Sequence, residues 1–186
     1  MTESEAPGEG GDPRVRPPDA LVAEYDAGDT VVRQRNTIEL PPDQWAKLDR
    51  DGGKWGVGGF VTRDGDVLLV REDAKASDWV LPGGMLEAGE THAEGAAREV
   101  REETGIAVDV ESLAAVSEQT FVHAADDRRF EFYFATFDAT PRAADPTPSD
   151  DPGLPDEDIA AVAWHADLPA DVFDRELVRR LLAREG

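Results

Sequence analysis

The sequence predicts one α/β domain in which strands outnumber helices, and three features point to it. Short apolar segments alternate with polar residues at strand spacing along much of 31–71 and 106–138. One central helix, residues 92–104, carries a start signal at one end and a stop signal at the other. The chain then closes on an amphipathic helical stretch, VFDRELVRRLLARE. A length of 186 residues suits one domain plus tails.

Taken in order, residues 1–30 are rich in Gly, Pro, Asp and Glu and are expected to form an acidic, mostly disordered leader. Residues 31–40 (VVRQRNTIEL) alternate as a strand, and 41–50 form a short helix opened by Pro42. Together, residues 31–52 make an N-terminal strand-and-helix extension before the main domain, 53–186. Residues 55–71 read as two strands around an Asp64-Gly65 turn, a strong hairpin signal. WVLPGG at 79–84 is a short strand running into a glycine turn. Further strands fall at 106–110, 113–122, 129–138 and 159–164. Residues 139–158 form a Pro/Asp-rich loop. The closing helix is expected to turn Phe173, Leu177, Leu181 and Leu182 inward.

Composition narrows the function. The chain carries 41 acidic and 19 basic residues, a net charge of −22. Such a surface repels a nucleic-acid polymer and an anionic membrane, so neither is expected as a partner. There is no cysteine, which excludes disulfides and thiolate chemistry. No run is long and apolar enough to span a bilayer, and the first residues lack the blocks of a signal peptide, so a cytoplasmic protein is expected. Asp (23) outnumbers Glu (18) and Lys falls to 3. That profile resembles proteins of halophilic cells, where screening at about 1 M salt shortens the Debye length to roughly 3 Å.

The central helix holds the chemistry. Thr91 and Glu94 form a capping box, and Gly105 stands where a glycine would end the helix. Ala93, Ala96, Ala97, Val100 and Thr104 share one face, which should pack on the sheet. Glu99, Glu102 and Glu103 fall within about 100° of one another on another face. Three carboxylates so placed repel each other. Either the face is simply solvated, or hard divalent cations with oxygen ligands remove the repulsion.

The wider stretch from Gly84 to Ile106, GMLEAGETHAEGAAREVREETGI, resembles the signature of the Nudix hydrolase family, G-x5-E-x7-R-E-U-x-E-E-x-G-U with U aliphatic. Gly84, Glu90, Arg98, Glu99, Val100, Glu102, Glu103, Gly105 and Ile106 occupy its fixed positions. The resemblance implies an α/β/α sandwich with a mixed sheet between helices. It also implies a metal-dependent pyrophosphohydrolase that cleaves a nucleoside diphosphate linked to a further moiety, with Mg²⁺ or Mn²⁺ as cofactor. Glu99, Glu102 and Glu103 are then metal ligands, with Glu90 and the Gly83 carbonyl as further ones. Glu90 and Arg98 form an ion pair between loop and helix, and the Gly83-Gly84 turn lies against the diphosphate. The general base is expected on the helix, Glu103 or Glu99, or on a distal loop at Glu157 or Asp158.

Further assignments concern residues outside the fixed positions of the signature. Arg71, at a strand end, is expected to meet a phosphate or to form a surface salt bridge. Trp79 and the stripe of Phe130, Phe132 and Phe134 offer flat surfaces for a base, although a phenylalanine stripe at strand spacing is more often core. Gly95 lies mid-helix, where it makes room for a ligand or is merely tolerated. His92, His123 and His165 have no ligand spacing. Downstream markers of Nudix subfamilies are missing: no proline lies between Ile106 and Pro141, where the ADP-ribose type carries one. A small-molecule nucleotide is therefore the expected substrate, either a nucleoside triphosphate or a nucleotide sugar such as ADP-ribose. The alternative is a catalytically silent Nudix-fold module that senses a nucleotide. The sequence leaves room for a homodimer.

Overall fold

The computed structural model describes residues 12–25, 30–46, 53–72, 78–126, 128–149, 152–153 and 159–184. They build a seven-stranded mixed sheet with helices on both faces. The strands are β1 (Val32–Leu40), β2 (Trp55–Arg63), β3 (Asp66–Glu72), β4 (Gly83–Met85), β5 (Val108–His123), β6 (Arg129–Pro141) and β7 (Ile159–His165). Their order is β1-β5-β6-β2-β3-β7, with β4 pairing β2. The helices are α1 (Pro18–Glu24), α2 (Pro42–Trp45), α3 (His92–Thr104) and α4 (Arg175–Leu182). Among the described residues no helix is long and apolar enough to cross a membrane.

β2 lies between β6, parallel to it, and the antiparallel β3. Covered on both faces, it reads as a run of glycines and apolar residues rather than an alternation. Asp64 and Gly65 both take positive φ, 53° and 92°, in the two-residue hairpin that the Asp-Gly pair favours. Its odd-numbered residues face α3, where Trp55 and Val57 join Ala96 and Leu86 in the core. Its Phe60 faces α4 with Leu69, Leu177 and Leu181. The α/β/α sandwich is thus in place.

Several expectations are corrected. Within the supposed leader, residues 13–15 form a 3₁₀ turn and α1 follows, with Leu21 fully buried in the core beside Trp55. The Trp55 indole donates to the Arg16 carbonyl at 2.8 Å, tying that segment to β2. Leu21, with Val22 and Tyr25 packed against the same cluster and the Arg14 and Arg16 carbonyls accepting from Lys54 and Trp55, docks a stretch whose overall composition looks unstructured. Residues 1–11 and 26–29 lie outside the described set. β1 is also more than an extension: it pairs in parallel with β5 from Val32 opposite Ala115 to Leu40 opposite His123. The two strands expected at 106–110 and 113–122 are one, β5, with irregular register near Ser112 and Ala115 that keeps the ladder going. β6 runs on to Pro141, and Ser149 and Gly153 donate backbone bonds to the Thr104 and Glu102 carbonyls. The last helix begins only at Arg175, and Phe173, expected inward, is 53% exposed.

Candidate active site

α3 is held by the signals its sequence carries. The Thr91 hydroxyl accepts from the Glu94 backbone at 3.2 Å, the Glu94 carboxylate accepts from the Thr91 backbone at 2.9 Å, and Gly105 ends the helix at φ 75°. One face packs tightly on β2: a Cβ at Gly95 would lie 2.9 Å from Leu86 and 3.0 Å from Val57. Gly95 therefore serves close helix–strand approach and not a ligand.

The other face gathers the carboxylates around one guanidinium. Arg98 Nε donates to Glu90 Oε1 at 2.7 Å, and Nη1 donates to Glu99 Oε1 at 2.8 Å and Glu102 Oε2 at 2.9 Å. Nη2 reaches Glu90 Oε2 at 3.1 Å and the Met85 carbonyl at 3.0 Å. Arg98 thus clamps β4, the loop after it and the helix together. Glu103 Oε2 accepts from the Gly83 backbone N–H at 2.7 Å. Glu99 and Glu103 are only 5% and 8% exposed, a costly place for carboxylates without partners. The Arg98 hydrogen bond is the main cause that holds Glu90 below the usual carboxylate range, against burial, and its carboxylate partners raise Arg98 in turn.

Gly84 is needed here for space. A Cβ on it would stand 2.6 Å from Glu99 Oε2. The backbone of β4 therefore lies directly on the buried carboxylate. Among the described residues no three acidic or imidazole side chains already converge as a metal cage. Glu99 and Glu102 are drawn to Arg98, and Glu103 to Gly83. The donor set nevertheless fits a hard divalent cation, because the one guanidinium of Arg98 is shared by three carboxylates, whose oxygens outnumber its single positive charge.

On the opposite face of the sheet, a cavity of about 230 Å³ adjoins Gly83. Val80, Leu81, Phe134 and Leu177 give it apolar walls, and Ser117, Gln119 and Asp174 place polar groups in them. Phe173 stands at the same cavity. Sequence reading assigned none of Ser117, Gln119, Phe173 or Asp174 to a site. An Asp immediately before a helical run is a common N-cap, and that signal would have moved the helix start past Phe173.

Arg71 and Trp79 lie elsewhere. Arg71 forms an ion pair with Asp171, and its guanidinium sits 4.6 Å from the Trp79 ring centroid. Trp79 also meets the His165 ring edge-on at 4.5 Å. Neither lines the cavity. Of the phenylalanine stripe, only Phe134 lines it; Phe130 stacks with Phe121 at 6.5 Å, and all three are half-buried. Glu157 and Asp158 lie outside the described residues. His92 is buried edge-on against Trp55 at 4.7 Å, and burial lowers its pKa to about 4. His123 packs on Trp45 at 5.4 Å.

Known proteins resemble this chain in sequence or in fold. A MutT-like protein of Streptomyces ambofaciens is 48% identical over 64 residues, which cover 34% of this chain and 42% of that protein. An ADP-ribose pyrophosphatase of Methanocaldococcus jannaschii is 39% identical over 62 residues, 32% of this chain and 37% of its own length. The match thus spans less than half of either curated relative. The crystal structure of a MutT NUDIX hydrolase from Burkholderia pseudomallei superposes with a TM-score of 0.52 at 28% identity, over 72% of this chain and 98% of that one. A NUDIX hydrolase from Nitrosomonas europaea shares the fold, with a TM-score of 0.55 at 24% identity over 74% of each chain. The NUDIX domain model matches residues 53–181, the stretch that holds the capped helix, its carboxylates, the Arg98 clamp and the cavity beside Gly83. The chain belongs to the Nudix family.

Proposed function

We propose that this protein hydrolyses the phosphoric anhydride of nucleoside di- or triphosphate derivatives, with Mg²⁺ or Mn²⁺ as cofactor. One observation carries the proposal: Gly83 touches both halves of the site. Its N–H is bonded to Glu103 on the carboxylate side, and its backbone lines the apolar cavity on the other. A ligand with a charged diphosphate at the glycine turn and a flat apolar group in the cavity would use both.

Glu99, Glu102 and Glu103 would hold the cation, with Glu90 and the Gly83 carbonyl at its margin. A bound divalent cation would neutralise diphosphate charge and lower the pKa of attacking water. Arg98 orients Glu90, Glu99 and Glu102 through the bonds described above. Glu103 or Glu99, buried and adjacent to the turn, would accept the proton as water attacks phosphorus. Without a Cβ at Gly83 or Gly84, the turn packs directly on β2 and on the Glu99 carboxylate, so its backbone would lie beside the diphosphate. The products would include a nucleoside monophosphate. The likeness to a protein named an ADP-ribose pyrophosphatase and to one named MutT-like supports this reading.

The test is a panel of nucleoside triphosphates, ADP-ribose and other nucleotide sugars, with Mg²⁺, Mn²⁺ or excess chelator. Turnover that needs the cation supports the proposal, and full turnover in chelator overturns it. In H₂¹⁸O, label found only in orthophosphate would indicate terminal phosphatase chemistry instead. A protein that binds the panel and turns over none of it would be a sensing module.

A further inference from the structure

The cavity beside Gly83 has an unusual rim. Asp174 is one of two residues other than glycine among those described with positive φ, at 51°. It stands at the N-cap of α4, yet its carboxylate makes no cap hydrogen bond to the helix. That is a strained backbone without the usual compensation of a capping bond. The side chain is instead held from across the sheet. Gln34 of β1 donates through Nε2 to Asp174 Oδ2, and through the same nitrogen to Ser117 Oγ at 2.9 Å. Gln34 lies outside the stretch that the family model matches, 53–181. Beside Asp174, the Phe173 ring is 53% exposed although its backbone is fixed, donating to the Trp79 carbonyl at 2.8 Å.

The chemistry of the lining is one-sided. Among the described residues no lysine, arginine or histidine lines the cavity, and the lining they give it does not suit a phosphate. Two phenylalanine rings and aliphatic walls suit a flat uncharged heterocycle. Ser117, Gln119 and Thr136 can each donate or accept a hydrogen bond, whereas the Asp174 carboxylate only accepts. A heterocycle that turns an amino group to Asp174 gains a charge-assisted bond. One that turns a carbonyl there sets lone pairs against lone pairs.

We infer that Asp174 and Phe173 determine specificity, and that Gln34 is a positioning residue, in a subsite selecting nucleobases that carry an exocyclic amino group over their oxo counterparts. This rests on the nucleotide-hydrolase reading above and deepens it. Adenine is favoured over hypoxanthine, and cytosine over uracil. Phe173 gains cover when the base enters, and Gln34 keeps the Asp174 carboxylate turned into the cavity.

The probes are AMP against IMP and CMP against UMP, titrated calorimetrically into the full chain so that binding is read without turnover. AMP and CMP should each bind at least about tenfold tighter than the oxo partner, the size expected for one charge-assisted bond. Asp174→Asn, which presents a donor as well as an acceptor, should bring both ratios within about twofold. Gln34→Leu should reduce them as well, and Gln34→Lys, which keeps a donor toward Asp174, should restore them; a purely structural role for Gln34 would change the melting temperature and leave the ratios alone. Wild-type ratios within twofold, no measurable binding of any of the four, or unchanged ratios in Asp174→Asn would overturn the inference. Cation-dependent hydrolysis without base discrimination would overturn it and leave the hydrolase reading standing. Selective binding without hydrolysis would do the reverse.

Discussion

Replacing Arg98 with alanine tests the physical account of the site most directly. The substitution removes five hydrogen bonds, four to the carboxylates of Glu90, Glu99 and Glu102 and one to the Met85 carbonyl. Not all of them weigh equally. The side chains of Glu90 and Glu102 keep 20% and 26% of their exposure, so water screens much of their loss. Glu99 keeps 6%, and a buried carboxylate that loses its cation costs about 3–5 kcal/mol. Taking the lower end, about 3 kcal/mol, and a shift of about 2–4 °C per kcal/mol for a domain of this size, Tm should fall by roughly 6–12 °C. Scanning calorimetry in chelator measures it. Arg98→Lys should recover only part, because a point charge cannot reach acceptors that a planar guanidinium spans. Mg²⁺ should narrow the gap between Arg98→Ala and wild type, because a bound cation supplies the missing charge. Glu90 titrates below its ordinary 4.5 when folded, so its share of the stabilisation is present above that pH and is lost as pH falls through the lowered value. A Tm loss under about 2 °C would refute the clamp.

Four further outcomes follow from the structure. His92 titrates near 4 when folded against 6.5 when free, so the unfolded chain takes up a proton that the folded one refuses. Stability should be full above about pH 6.5 and fall by about 3 kcal/mol on the way to pH 4; urea melts of His92→Phe at pH 7.5 and 4.5 should show a smaller difference than wild type, and an equal one would sink the assignment. Gly95→Ala should destabilise the fold by about 1 kcal/mol or more despite a gain of about 1 kcal/mol in helix propensity, since the new methyl group meets Leu86 and Val57; a rise in Tm would contradict this packing. Glu103→Gln should lower kcat by about a hundredfold or more with Tm nearly unchanged, because the amide oxygen can still accept from Gly83; near-normal turnover would move the base or the metal elsewhere. With a net charge of −22, Tm should rise as monovalent salt goes from about 0.1 M to beyond 1 M, and a flat or falling Tm would make the acidity incidental.

What the sequence by itself determined lies within a few residues of chain. The Thr91–Glu94 cap, the Gly105 stop and the Asp64-Gly65 turn each satisfy or shape a backbone within reach of their own side chains, so position along the chain is enough to read them. The acidic face of α3 is legible for the same reason: helix geometry places Glu99, Glu102 and Glu103 together whatever the rest of the chain does. Tertiary structure decided everything that depends on contact between distant segments. Leu21 is buried because Trp55 and Phe137 provide a surface for it, which no property of residues 1–30 reveals. Arg71 turned to Asp171, a hundred residues away, and Trp79 to His165. The periodicity of 172–185 counts Phe173 as core, but Asp174 adopts a left-handed backbone and turns the preceding ring outward. Gln34 meets Asp174 across 140 residues because β1 pairs in register with β5, setting Gln34 opposite Ser117. Register and side-chain partnership across a sheet are collective results of packing, so the carboxylate helix was written in the sequence and the cavity opposite it was not.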